Sequence, residues 1–162
     1  MTSKRLQPSR TILETAEQFY RAAEHVWSAG QVEYAMPLLV NYAFSAELSL
    51  KAIDASASGA PTSVGRGVMH PPPIDSNVRI RGHRLDMMFD KLASATQADL
   101  EGRFLQHTGD ELKPLLAECA NYFEDVRYWY EGKVAPRFNL GGVRILARGL
   151  LHVVGELGTN PP

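Results

Sequence analysis

A single cysteine, Cys119, in 162 residues excludes an internal disulfide framework and any zinc site built on several thiolates. Its ordinary reading is a buried, inert thiol in a reducing compartment. Charge of one sign is also lacking: 17 Lys+Arg against 18 Asp+Glu leave a formal net charge of −1. No overall field therefore favours nucleic acid or acidic lipid, and binding to either needs a local patch. No run reaches the ~18 apolar residues of a membrane span, and the polar first ten residues hold no apolar core of signal-peptide length. The expectation is a soluble, cytoplasmic protein with no membrane partner. HExxH, GxxxxGK[ST], GxGxxG and GxSxG are all absent, which closes the usual sequence routes to zinc hydrolases, P-loop enzymes, dinucleotide binders and serine hydrolases. The five histidines, His25, His70, His83, His107 and His152, stand far apart in the sequence, so neither a metal nor a cofactor is expected.

What is present is helical periodicity without β alternation, hairpin signals or internal repeats. Apolar residues recur every three to four positions over 11–29 (Ile12, Ala16, Phe19, Tyr20, Ala23), with Gly30 as the stop. A second helix is predicted over 32–57, with Pro37 tolerable only near its start. Residues 57–82 lose the period and are rich in Ser, Gly and Pro. This reads as one long loop, stiffened at Pro71, Pro72 and Pro73. Shorter helices follow from near His83 to Leu92 and over 97–106. Asp110 is the expected N-cap of a helix reaching about residue 131, with Pro114 in its first turn. The last helix is expected over 139–157, and Asn160, Pro161 and Pro162 should fray. The fold class is all-α: one domain over 1–162, an up-and-down bundle of four longer helices plus short ones.

Four features stand out chemically. Glu47 and Lys51 have the acid-before-base i,i+4 order, which serves either a solvated surface pair or the support of a cleft. Arg79, Arg81 and Arg84 crowd cations at a helix N-terminus, which is unfavourable for the helix itself. They either pair with Asp75, Asp86 and Asp90 or await an anion. His83 beside Gly82 either caps or tethers this corner, or touches phosphate together with Arg84. Arg127, Tyr128, Trp129 and Tyr130 place a guanidinium and three aromatics in one turn, and four consecutive residues cannot all face one core. Such a set suits a protein interface or stacking on bases. Each histidine also has an arginine four positions before it, an arrangement read as coincidence.

FSAELSLKAI (residues 44–53) followed after a loop by GHRLDMMFDKL (residues 82–92) resembles the HEPN superfamily, whose members carry "ElalKall" and then "GHdLxxLfxxl". YFEDVRYWYE (residues 122–131) is similar to the family's later Arg-Tyr helix. The resemblance implies a small helical bundle acting as a homodimer, and a nucleotidyltransferase-like partner protein in a toxin–antitoxin pair. In catalytic members an Arg-x4-6-His motif, shared across the dimer cleft, cleaves RNA without metal. Here Gly132, Lys133 and Val134 stand where the histidine would follow Arg127, and every Arg-His pair in the chain has x3 spacing. The expectation is therefore a non-catalytic module linked to RNA or nucleotides, with Glu47, Lys51, His83, Arg84, Arg127, Tyr128, Trp129 and Tyr130 as binding residues. The alternative is an endoribonuclease using Arg127 with His83 or His107.

Overall fold

In a computed structural model, residues 7–30, 32–58, 63–65, 68–70, 75–131 and 137–157 are described. The chain is mostly helical: α1 (Arg10–Ser28), α2 (Ala35–Ile53), α3 (Leu85–Asp90), α4 (Ser94–Thr108), α5 (Leu112–Glu118), α6 (Tyr122–Tyr128) and α7 (Leu140–Leu157). Single 3-10 turns, Val32–Tyr34 and Trp129–Glu131, precede α2 and extend α6.

The organising element is α2. It has only two charged residues, and a helix that is apolar nearly all round belongs inside. It packs against α1, α7, α6 and α3. Tyr42, Ala46 and Leu50 are inaccessible to solvent, and Ser45, Ala46, Ser49 and Ala52 let neighbours approach closely. Ser45 Oγ donates to the carbonyl of Ala16 (2.8 Å) and Ser49 Oγ to that of Ser45 (2.9 Å), so neither buried hydroxyl is left unsatisfied. A polar clamp joins three helices: Arg144 of α7 donates to both oxygens of Glu24 of α1 (2.6 and 2.9 Å), and Tyr42 of α2 donates to the same carboxylate (2.7 Å). Arg144 also lies over the Trp27 ring at 4.7 Å. The two bonds to one planar carboxylate hold both long side chains in a single geometry.

Several sequence expectations need correction. The second helix stops at Ile53 instead of 57, and Pro37 sits in its first turn. The stretch expected to be a strandless loop contains two antiparallel ladders, β1 (Ala55–Ser58) with β4 (Asp75–Val78) and β2 (Ser63–Gly65) with β3 (Val68–His70). Residues 59–62, 66–67 and 71–74 of it, the three prolines included, lie outside the described residues, as do residues 132–136 and 158–162. The helix expected over 110–131 is broken between α5 and α6. The Ala120 carbonyl accepts from the backbone N–H of Leu85 (3.1 Å), so the start of α3 is docked onto the break. Glu111, not Asp110, occupies the N-cap position of α5, and its side chain makes no cap bond. Asn139 does cap α7, accepting from the Gly142 N–H at 2.8 Å.

Candidate functional site

Among the described residues Glu47 is the only charged side chain in the core, wholly inaccessible to solvent. The solvated-surface reading of the Glu47–Lys51 pair is thus corrected. A lone buried carboxylate is costly, so its partners must be close. Lys51 Nζ donates to Oε1 at 2.5 Å, one turn along α2. His83 supplies the second partner from outside the helix, its Nδ1 lying 3.1 and 3.2 Å from the two carboxylate oxygens. An ionised carboxylate only accepts, so Nδ1 carries the hydrogen. Nε2 has no protein partner among the described residues. Gly82, at φ +114°, takes a backbone conformation that an L side chain rarely adopts, immediately before this histidine. The Nδ1 contact makes His83 a tether between the 79–84 corner and α2. It caps nothing: the N-cap position of α3 is Arg84.

The same imidazole stacks on Phe123 of α6 (centroids 5.7 Å, 27°), and Phe123 stacks in turn on Phe44 of α2 (5.1 Å, 21°). Arg127, one turn further along α6, holds its guanidinium 5.4 Å from the Phe123 ring and 5.6 Å from that of Tyr128. It has no carboxylate partner among the described residues. Tyr128 and Trp129 are each half exposed. Phe44, Glu47, Lys51, His83, Phe123, Arg127 and Tyr128 therefore form one connected surface patch over a buried carboxylate. All three segments that carry the resemblance contribute to it. Phe123, the residue that joins His83 to Arg127, escaped the sequence reading because it looked like one more core aromatic.

The remaining candidates lie differently. Arg84 is tied to Asp86 (2.6 Å), which holds the Asp86 carboxyl below the usual carboxylate range, and Arg79 reaches Asp54 at 3.6 Å. Pairing thus accounts for two of the three arginines of this corner. Arg81 gives its carbonyl to Lys91 (2.8 Å), and its own side chain is exposed. Of Tyr130 only the backbone is described. His107 is not part of this patch; it stacks on His152, between α4 and α7. Two of the Arg-His pairs read as coincidence, Arg103/His107 and Arg148/His152, are thus brought together. Cys119 is fully buried and its thiol is pushed up to about 12 by burial, so it is inert as expected.

No group of three or more histidine, cysteine or acidic side chains is placed to hold a metal ion among the described residues. No helix there is long and apolar enough to cross a membrane. No family model, curated protein or solved structure matches the chain.

Proposed function

We propose that the chain is a HEPN-like helical module that binds RNA or a nucleotide through the His83–Phe123–Arg127 patch without cleaving it. The observation that carries this reading is the meeting of the three motif segments on one surface, with a guanidinium that has no carboxylate partner among the described residues beside exposed aromatic rings. Arg127 serves a phosphate oxygen and Tyr128 or Trp129 a base face, contacts that tolerate sequence variation. Half-exposed Tyr128 and Trp129 are also of the type that fills the centre of protein interfaces, and the module acts as a homodimer through that edge. A nucleotidyltransferase-like protein is its proposed partner.

One observation favours a second reading, a metal-independent endoribonuclease. A carboxylate holding imidazole Nδ1–H leaves Nε2 free to exchange a proton, and Arg127 would stabilise the charge that develops on the phosphorus oxygens. Incubation with end-labelled structured RNA in EDTA separates the two. Intact RNA, bound in a salt-sensitive way that Arg127→Ala weakens, supports the binding module. Cleavage lost in both Arg127→Ala and His83→Asn supports the nuclease. Neither binding nor cleavage overturns both readings. For the dimer, sedimentation at micromolar concentration is the check, and a monomer contradicts it.

A further inference from the structure

A second cluster, sharing no residue with the patch above, lies where α4 and α7 meet. These helices approach closely because Gly149 has no side chain: a Cβ there would stand 2.3 Å from the Phe104 ring. Next to this contact His107 of α4 and His152 of α7 stack face to face, with centroids 3.7 Å apart and planes at 14°. Arg103 and Arg148 lie four residues before each histidine, hence on the same helix faces. The cluster borders a cavity of about 820 Å³ lined by Gly102, Arg103, Gln106, His107, His152 and Glu156 among others. An adjoining cavity of about 740 Å³ shares His152 and Glu156 and includes Arg148.

The charges facing the histidine pair are of two kinds. On α4, Arg103 is bonded to Asp99 (2.8 Å) and stands 3.8 Å from Glu156. On α7, Glu156 lies 3.3 Å from His152 Nε2, and Arg148 has no acidic partner among the described residues. The neighbouring pairs are self-contained: Arg10 with Glu14 and Arg21 with Glu17 on α1, and Lys113 of α5 with Glu101 of α4. With neutral imidazoles, then, two guanidiniums face two carboxylates. Glu156 already faces His152, whereas no carboxylate among the described residues is bonded to His107, so a proton there adds positive charge without a direct partner. Burial first, then His152 and Arg148, hold the His107 pKa below its ordinary value against the opposing pull of Glu156.

We propose that the junction of these two cavities binds a phosphate-bearing anion against the exposed edge of the histidine stack, together with a proton taken up at His107. The anion supplies the negative charge that a protonated His107 lacks among the described residues, and Arg148, from the adjoining cavity, donates to its oxygens. The site is independent of the His83–Arg127 patch and survives or fails without it.

Calorimetric titration of the full chain with inorganic pyrophosphate at pH 5.5 and 7.5 is the test, with proton resonances of the histidine rings followed in parallel. A coupled proton changes affinity by up to about tenfold per pH unit, so binding should be tighter at pH 5.5, by at most about a hundredfold for one proton. Bound pyrophosphate should raise the midpoint of the His107 titration, and Arg148→Gln should weaken binding by about tenfold. Competition by a short RNA in an Arg127→Ala background identifies a nucleic-acid backbone as the source of the phosphate. Failure to compete identifies a small molecule; either result keeps the site. Absence of saturable binding at pH 5.5 overturns the proposal, and so does binding that Arg148→Gln and a His107→Asn/His152→Asn double variant leave unchanged.

Discussion

Replacing Lys51 by methionine isolates the energetics on which the His83–Arg127 patch rests. The substitution keeps most of the apolar stem of Lys51 and removes the ammonium that lies 2.5 Å from Glu47 Oε1. Glu47 has no access to water, so its charge is left with His83 alone, and that ring is nearly half exposed. Removing one partner of a buried pair costs about 3–5 kcal/mol, a large part of the ~5–15 kcal/mol stability of a typical domain. For a chain of this size each kcal/mol moves the midpoint of thermal unfolding by about 2–4 °C. The expected drop is therefore about 6–20 °C, read by circular dichroism at 222 nm. The double variant Glu47→Gln/Lys51→Met, which leaves no buried ion, should recover at least half of the loss. A Lys51→Met midpoint within about 2 °C of the parent would refute the reasoning, since the buried carboxylate would then not depend on its ammonium.

Gly149→Ala should destabilise the chain by about 1–3 kcal/mol, because the new methyl meets the fully buried Phe104 ring in a close-packed joint; urea denaturation measures it. Acid should weaken the fold through groups whose folded pKa is depressed, His107 and Glu24 among them. For His107 the unfolded chain takes up its proton first, so that stability is present above pH 6.5 and is lost as pH falls below it. His107→Asn should flatten this part of the profile. For Glu24, lowered chiefly by its hydrogen bond from Arg144, the loss begins below pH 4.5, and Arg144→Gln should abolish that step. Cys119 should react with a thiol reagent only at the rate of unfolding; fast labelling of the native chain would contradict its burial.

The helices whose stripes face a single core, α1, α4 and α7, were legible in the sequence to within one to three residues at each end. The break at Ala120 was not, because Leu112, Leu116, Cys119, Tyr122 and Val126 continue the helical period through it with neither glycine nor proline. What ends α5 is a tertiary bond from Leu85, invisible to any local rule. The ladders of the 55–78 segment escaped for a related reason, since Ser- and Gly-rich strands of three or four residues show no alternation. Glu47 illustrates a signal that was present and undervalued. A helical wheel separates it from the apolar stripe, yet 35–53 carries only one acid and one base, which marks a helix buried on most sides. His83 and Arg127 could be named individually. Their connection through Phe123 joins residues 40 positions apart in sequence and depends on how α6 packs against α2. The His107–His152 stack has the same character, for x3 spacing within each helix says nothing about which helices touch.

On the proposed function, His83 and Arg127 form a single RNA-binding surface. A double-mutant cycle on RNA affinity, measured by fluorescence anisotropy with one labelled structured RNA at fixed low salt, tests it most directly. His83→Ala and Arg127→Ala should each weaken binding by about tenfold, and the double variant by clearly less than the product of the two, as expected for groups in one network. Affinity unchanged by either single substitution would contradict a shared RNA surface, and fully multiplicative losses would show that the two side chains act without coupling.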